Sequence, residues 1–151
     1  MRKTRIRKKS RSSIRIAKDK LWRTLKELVH KRDGSVCISC GAKNLKGHNR
    51  HAGHFIPSAA CGGFLRYDLR NVWTQCARCN MFLGGAGAEY TRALEKLYDA
   101  KFVDKILIDK QQEIKLDVHY VESLNEYYKT LLDKSPKELM KLTKTYKGFK
   151  I

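Results

Sequence analysis

The sequence predicts a small α+β domain with flanking helices and a basic N-terminal arm. Two C-x-x-C pairs enclose a segment of 35 residues, and two stretches within it, 51–56 and 71–74, have the length of short strands. Outside this segment, apolar residues recur at helical spacing. A chain of 151 residues is long enough for one domain of this kind with a tail.

Apolar stripes with a period of about 3.6 residues predict the flanking helices, and we expect these stripes to form the core. Glycines at 84, 85 and 87 should end a short helix that opens at the second cysteine pair. Ser-Pro-Lys-Glu at 135–138 is a capping box with proline at the first helical position, so a last helix begins there. The predicted helical segments are 16–32, 75–82, 94–107 (continuous or restarted), 117–133 and 136–146.

The charge of the chain predicts a polyanionic partner. The chain has 33 lysines and arginines against 15 acidic residues, a formal net charge of +18. Ten of these bases and one acid, Asp19, lie in residues 1–20, so residues 1–15 should form a flexible basic arm. Nucleic acid is the first expected partner, because bases that neutralise phosphates release condensed counterions, and an anionic membrane surface is the second. With no span-length apolar run and no secretory signal, we expect a cytoplasmic protein outside the membrane.

Two cysteine pairs predict a structural Zn²⁺ site, because this spacing lets four thiolates reach one tetrahedral ion at about 2.3 Å. The ligands are Cys37, Cys40, Cys76 and Cys79. Gly41 follows the first pair and suits a knuckle turn that needs positive φ. The odd fifth residue, Cys61, is expected to be a free thiol, and an odd count without an export signal argues against a disulfide framework. Redox-active or merely buried cysteines are the alternative.

Three polar residues have the chemistry that phosphodiester hydrolysis needs. His54 can act as a general base, because neutral imidazole titrates near working pH. Asn71 can hydrogen-bond backbone across the loop and hold the imidazole in place. Asn80, directly after the last cysteine, can offer a carbonyl oxygen to a hard cation. Taken one at a time, a structural histidine, a turn residue and a surface amide are the alternatives.

The spaced elements together resemble the HNH (ββα-metal) nuclease fold with a zinc-binding treble-clef addition. More narrowly, they resemble the phage NinG/Rap recombination family over about residues 21–108. The motifs that carry the narrower resemblance are Cys-Ile-Ser-Cys-Gly at 37–41, Ala-Gly-His at 52–54, Leu-Arg-Tyr at 65–67, Asn71, Gln-Cys-x-x-Cys-Asn at 75–80, Gly85 and Glu-Tyr at 89–90.

The resemblance implies a metal-dependent DNA endonuclease that cleaves branched recombination intermediates, such as D-loops and Holliday junctions, in a bacterial host cell. His54 matches the general base and is also a candidate ligand of the catalytic Mg²⁺ or Mn²⁺, Asn71 matches the central asparagine, and Asn80 matches a ligand of that cation. Gly53 departs from the pattern, because many members have a metal ligand there. His51 lies two positions earlier on the same strand face and is a candidate substitute ligand.

The proposed site and its expected DNA substrate also predict DNA contacts and an oligomeric state. Arg66, Arg70 and Arg78 lie near the proposed site and are candidate phosphate contacts, with ordinary solvated charge as the alternative. Symmetric resolution of a junction requires two sites, so we expect a homodimer, and phage recombination proteins are candidate partners.

The predicted domain organisation is a basic arm at 1–15, a zinc-containing nuclease core at 16–108 and a helical C-terminal extension at 109–151. The helices of the extension either contact DNA or fold onto their own domain, and we favour the second. The main alternative function is a non-catalytic zinc-stabilised module that binds nucleic acid, which needs the cysteines and the basic surface but not His54 or Asn80. A zinc-stapled protein-interaction adaptor explains the cysteine pairs but not the charge.

Overall fold

A computed structural model describes residues 12–151, which fold into a helix-rich structure with one small sheet. This confirms the mixed fold class that the sequence predicts. A 3₁₀ turn at Gly47–Asn49 precedes the first strand, and a π-helical turn at Arg78–Phe82 follows the second. The other elements are α1 (Ser13–Asp33), β1 (His51–His54), α2 (Gly63–Arg66), β2 (Val72–Gln75), α3 (Gly87–Leu97), α4 (Ala100–Asp109), α5 (Val118–Leu131) and α6 (Pro136–Thr145).

The two strands pair antiparallel and set the residues of interest side by side. Residues two apart on a strand share a face, so His51 and Gly53 project to one side of the sheet and His54 to the other. Gln75 is opposite His51 and lies on the same side as Gly53. The paired residues are His51 with Gln75, Ala52 with Thr74, Gly53 with Trp73, and His54 with Val72.

The apolar face of α1 forms the larger of two cores. Leu21, Leu25 and Leu28 recur at helical spacing and are fully buried. They belong to one cluster with Tyr128 of α5, with residues of α6 and with Val72 of β2. One side of the sheet therefore rests on α1, and α1 rests on the C-terminal helices.

The other side of the sheet is covered by α3 and α4. Trp73 of β2 is fully buried there and shares a cluster with Tyr90 of α3. The hydroxyl of Tyr90 donates to the carbonyl of Gly53 at 2.8 Å and so fixes β1 against α3. Asp99 accepts the backbone N–H of Phe102 at 2.8 Å, and this cap restarts the helix as α4.

A buried arginine joins the end of α1 to β2. Arg32 donates to the carbonyls of Leu69 and Val72, each at 2.7 Å, and forms an ion pair with Asp33 at 2.6 Å. Its guanidinium lies 3.6 Å from the ring centroid of Trp73. A buried charge is tolerated when it is paired and hydrogen-bonded in this way. These contacts fix the orientation of the hairpin on the helix.

The last two helices fold back onto α1. Asp117 caps α5 by accepting the N–H of Tyr120, and Ser135 with Glu138 forms the predicted capping box of α6. The apolar faces of both helices are buried in the α1 core, which is the second of the two alternatives considered for them. The domain boundaries at 1–15, 16–108 and 109–151 stay predictions.

Several element boundaries differ from those expected. α1 begins at Ser13, before the expected start at 16, and residues 1–11 of the predicted arm lie outside the described part of the chain. The helix expected over 75–82 is only the π-helical turn, because β2 continues through Gln75 and the second knuckle follows at once. Among the described residues, no helix is long and apolar enough to cross a membrane.

Candidate active site and metal cluster

Four cysteine thiols meet between the two knuckles. Their Sγ atoms all lie within 4.8 Å of one another, and Sγ of Cys40 is 3.8 Å from Sγ of Cys76. A tetrahedral ion with bonds of about 2.3 Å holds its sulfurs about 3.8 Å apart. The predicted set of Cys37, Cys40, Cys76 and Cys79 is therefore placed to bind a metal ion, consistent with structural Zn²⁺.

Backbone turns at each pair aim the thiols inward. Gly41 has φ of +75° and donates its N–H to the carbonyl of Cys37 at 2.9 Å, a conformation that glycine adopts without steric cost. In the second knuckle, the N–H of Cys79 points at Sγ of Cys76 at 3.5 Å, and the N–H of Asn80 donates to the carbonyl of Cys76 at 3.0 Å. The second knuckle thereby fixes the backbone position of Asn80.

Cys61 takes no part in the cluster. It is half-buried, and its Sγ lies 3.8 Å from the carbonyl oxygen of Ser58. Burial raises the pKa of the Cys61 thiol, so this group stays protonated at neutral pH. Its surroundings do not favour a thiolate nucleophile.

His54 ends β1, and its ring is held on two sides. Its Nε2 donates to the carbonyl of Arg66 at 2.9 Å, so the lone pair of the neutral ring lies on Nδ1. Trp22 of α1 stacks on the imidazole, with ring centroids 5.4 Å apart and planes 5° from parallel. Burial is the main effect on the pKa of His54 and lowers it below its ordinary value of 6.5. The hydrogen bond to the Arg66 carbonyl raises this pKa, and the positive charge of Arg66 lowers it. The ring is therefore neutral near pH 7, as a general base requires.

Asn71 is fully buried and bonds to backbone groups on two segments. Its Oδ1 accepts the N–H of Ile56 at 2.7 Å, and its Nδ2 donates to the carbonyls of Ile56 at 3.0 Å and Leu65 at 3.2 Å. Leu65 directly precedes Arg66, whose carbonyl orients His54. Asn71 thus holds the acceptor of the His54 proton in position without bonding the imidazole itself.

Asn80 lies in the π-helical turn, and His51 orients its carboxamide. Nδ2 of Asn80 is 2.9 Å from Nδ1 of His51, while Nε2 of His51 is 2.7 Å from the carbonyl oxygen of His48. Both ring nitrogens of His51 are therefore engaged. The expected role of His51 as a substitute metal ligand does not fit this arrangement, because no lone pair is left on the ring for an ion.

One cleft of about 310 Å³ is lined by both His54 and Asn80. Gly84 and Gly85, with φ of +59° and +93°, form part of its wall. Because these residues carry no side chains, the wall between the second knuckle and α3 stays open to a large substrate. The structure thus brings the predicted base and the predicted cation ligand to a common space, with Asn71 bracing the loop beside it.

Comparison with known families accounts for most of the chain. Residues 1–138 match the family described as Bacteriophage Lambda NinG protein. The chain belongs to the phage lambda NinG family. This confirms the narrower of the two resemblances and extends it to the basic arm, α5 and the start of α6. No significant match is found among curated proteins or among solved structures.

The three candidate arginines of this NinG-family chain differ in their surroundings. Arg66 and Arg78 are exposed, and Arg66 lines a cavity of about 250 Å³ together with His54. Arg70 is 2% exposed, and its guanidinium pairs with Asp68 at 2.9 Å and Asp109 at 2.7 Å. The predicted phosphate contact of Arg70 is therefore not supported, because two carboxylates inside the fold already take up its charge.

Sequence reasoning missed two residues that this NinG-family structure places at the site. Trp22 belongs to the apolar stripe of α1 and packs against its core as predicted, but its ring also stacks on His54. No local pattern indicates this contact, because the two residues lie far apart in the chain. Gln75 enters the sequence reasoning only as part of a motif, yet its fully buried carboxamide lies against Gly53. The sequence signal that could have identified Gln75 as a site residue is its position at the end of the strand, directly before Cys76.

Proposed function

We propose that this NinG-family protein is a metal-dependent DNA endonuclease of the HNH (ββα-metal) type. Its zinc-bound treble-clef core holds a hairpin against the turn that carries Asn80. The substrates are branched recombination intermediates such as D-loops and Holliday junctions. The observation that carries the proposal is that a tautomer-fixed, neutral His54 lines the same cleft as the carboxamide of Asn80.

His54 is the general base of the proposed reaction. Because Nε2 carries the proton that is donated to Arg66, Nδ1 is the atom that takes a proton from water. Burial keeps the imidazole neutral, and the stacked Trp22 limits its rotation. The water then attacks phosphorus, and the bond to the 3′ oxygen breaks.

Asn71 and Asn80 have different parts in this proposal. Asn71 is a positioning residue, because it acts through the loop that presents the Arg66 carbonyl. Asn80 offers a neutral oxygen ligand of the kind that Mg²⁺ and Mn²⁺ accept. When bound there, the cation stabilises negative charge on the phosphate and the leaving oxygen.

Charge and exposed apolar groups support DNA as the substrate. The net charge of +18 favours a polyanion, and the exposed Arg66 and Arg78 are the proposed phosphate contacts. The apolar tip, which we define as Met81, Phe82 and Leu83, directly follows Asn80 and is 51% to 78% exposed. Such side chains stack with unpaired bases or insert between base steps, which are accessible at a branch.

Symmetric cleavage of a four-way junction requires two sites with opposed polarity. A homodimer on DNA supplies them, and each protomer then cuts one strand. Phage recombination proteins are the further proposed partners, and the bacterial cytoplasm is the proposed location.

A second candidate is a non-catalytic zinc module that binds nucleic acid. The cysteine cluster and the basic charge favour it, since neither requires chemistry at His54. Matched linear, forked and four-way DNA, each incubated with the zinc-loaded protein in Mg²⁺, in Mn²⁺ or without added divalent cation, separates the two. The endonuclease cuts the branched substrates in the presence of either cation and only binds them when no divalent cation is added. Binding without cleavage under all conditions favours the module, and equal cutting of all three substrates removes the branched preference.

A further inference from the structure

Gly53 lies where two carboxamide side chains converge. A Cβ built on Gly53 would stand 1.9 Å from Oε1 of Gln75 and 2.9 Å from Oδ1 of Asn80. Both distances are shorter than real Cβ contacts, so any side chain at position 53 would displace the carboxamide of Gln75 or of Asn80. The volume of its missing side chain is filled by the end of Gln75, which projects from the neighbouring strand.

The orientation of the Gln75 carboxamide is fixed by its partners. Nε2 of Gln75 donates to the carbonyl of Gly85 at 2.9 Å and to Oγ of Ser39 at 2.7 Å. A carbonyl oxygen only accepts, so the amide nitrogen must face Gly85 and Oε1 must face Gly53. Gln75 is fully buried, and its Oε1 has no hydrogen-bond partner among residues 12–151. An unpaired buried acceptor is unfavourable, and a cation is one group that satisfies it.

The orientation of Asn80 is fixed in the same manner. Nε2 of His51 must donate to the carbonyl of His48, and in that tautomer Nδ1 is an acceptor. That acceptor requires the amide nitrogen of Asn80 on its side, so Oδ1 is turned towards Gly53. Two independent hydrogen-bond chains therefore direct two oxygens to one point beside the cleft.

We propose that Oε1 of Gln75 and Oδ1 of Asn80 together bind the catalytic divalent cation. Gln75 supplies from β2 the ligand that Gly53 cannot supply from β1, and His51 is a positioning residue for Asn80. The inference rests on the proposed nuclease function, since it names the ligands of that cation. Two neutral oxygens suit Mg²⁺ or Mn²⁺, which keep several waters and take further ligands from phosphate.

Mn²⁺ binding to the full-length, zinc-loaded chain tests this assignment without any DNA cleavage. The signal of free Mn²⁺ in electron paramagnetic resonance reports binding directly. We expect wild type to bind one Mn²⁺, and Gln75→Met and Asn80→Ala each to weaken the affinity at least tenfold. Methionine keeps the side-chain volume but offers no oxygen. His119→Ala, which changes an exposed histidine elsewhere, is the control and should bind as wild type.

A double variant provides the rescue. Gly53→Asp combined with Gln75→Ala places a carboxylate in the volume that the glutamine vacates, so Mn²⁺ affinity should return to the wild-type value or exceed it. Zinc content and circular dichroism establish that each variant is folded. If Gln75→Met does not fold, the double variant decides, and its failure to bind Mn²⁺ in a folded state overturns the assignment.

Failure of the ligand assignment and failure of the nuclease proposal give different results. Wild-type Mn²⁺ affinity in Gln75→Met, together with loss in Asn80→Ala, overturns the role of Gln75 while DNA cleavage by wild type stands. Absence of Mn²⁺ binding by wild type also overturns the assignment. Mn²⁺ bound through Gln75 and Asn80 without cleavage of any DNA supports the assignment and removes the nuclease.

Discussion

Nε2 of His54 lies 2.9 Å from the carbonyl oxygen of Arg66, and this bond fixes the tautomer of the imidazole. Because a carbonyl oxygen only accepts hydrogen bonds, Nε2 must carry the proton, and only Nδ1 is left to accept a proton from water. The same segment carries the Arg66 guanidinium, whose charge disfavours the protonated ring. The loop thus fixes the orientation and tautomer of the proposed base, while burial is the main cause of its lowered pKa.

The pH dependence of cleavage follows from the lowered pKa of His54. Protonated imidazole cannot act as a base, so the rate should rise with pH through the pKa of His54 and then level off. Because burial holds that pKa below 6.5, the plateau should include pH 7 and the fall should lie on the acid side. A pH profile of kcat/KM, with a histidine NMR titration, measures both. A rate that still rises between pH 7 and 9 contradicts this assignment.

Removal of the cluster metal should unfold the protein. Binding at four thiolates is linked to folding, and the cluster joins the first knuckle to the end of β2. Cys76→Ser should lose the metal and its cooperative thermal transition, whereas Cys61→Ser should keep both. Elemental analysis and circular dichroism measure the two properties. Equal stability of the two variants would count against a structural metal.

Asn71→Ala should destabilise the fold by about 3 kcal/mol, because it leaves the buried N–H and carbonyl of Ile56 without partners. Asn49→Ala is the matched control, since that exposed side chain accepts a single N–H from Ala77. The control should lose about 1 kcal/mol. Urea unfolding measures both free energies, and equal losses would contradict the bracing role of Asn71.

The proposed arginine contacts separate into two kinds of effect. Arg78→Gln should weaken DNA binding and reduce the salt slope of log Kd by about 1, while Lys137→Gln, an exposed control on α6, should change neither. Arg70→Gln should leave the slope unchanged and destabilise the fold by about 3 to 5 kcal/mol, because Asp68 stays buried and unpaired. Fluorescence anisotropy at several salt concentrations tests the slopes. A reduced slope for Arg70→Gln would show that Arg70 contacts DNA after all.

The apolar tip should matter for branched DNA alone. Phe82 is 78% exposed beside the cleft, so Phe82→Ala should weaken binding to forked DNA roughly tenfold through lost stacking and leave linear duplex unaffected. Leu107→Ala, on the exposed side of α4, is the control. A parallel loss on both DNA structures would show that the tip does not distinguish a branch.

Local patterns sufficed for part of the fold and site. The cysteine spacing predicts the metal cluster, because a C-x-x-C knuckle positions its own thiols. The capping box at Ser135 likewise depends on residues within one turn. His54 and Asn80 are predicted from their fixed places relative to a strand and a knuckle, and both line one cleft in the structure.

The remaining features depend on contacts that the local sequence pattern does not indicate. From the sequence, Arg70 is predicted to be a free cation, but in the structure it pairs with Asp109 of α4. His51 is a candidate metal ligand from the sequence, but the carbonyl of His48 and the amide of Asn80 occupy both of its ring nitrogens. The direction of the Gln75 oxygen is set by Gly85 across the site. Spacing along a strand gives the face of a side chain, but tertiary partners decide whether its polar atoms are available.

The central claim is tested most directly by the single-turnover cleavage rate of His54→Ala on four-way DNA in Mn²⁺, relative to wild type. Loss of a general base should lower this rate by roughly 10² to 10⁴-fold, while DNA affinity without added divalent cation and the zinc content stay unchanged. A His54→Ala rate equal to that of wild type would contradict the assignment of His54. Intact DNA after incubation with the folded wild-type protein would contradict the nuclease itself.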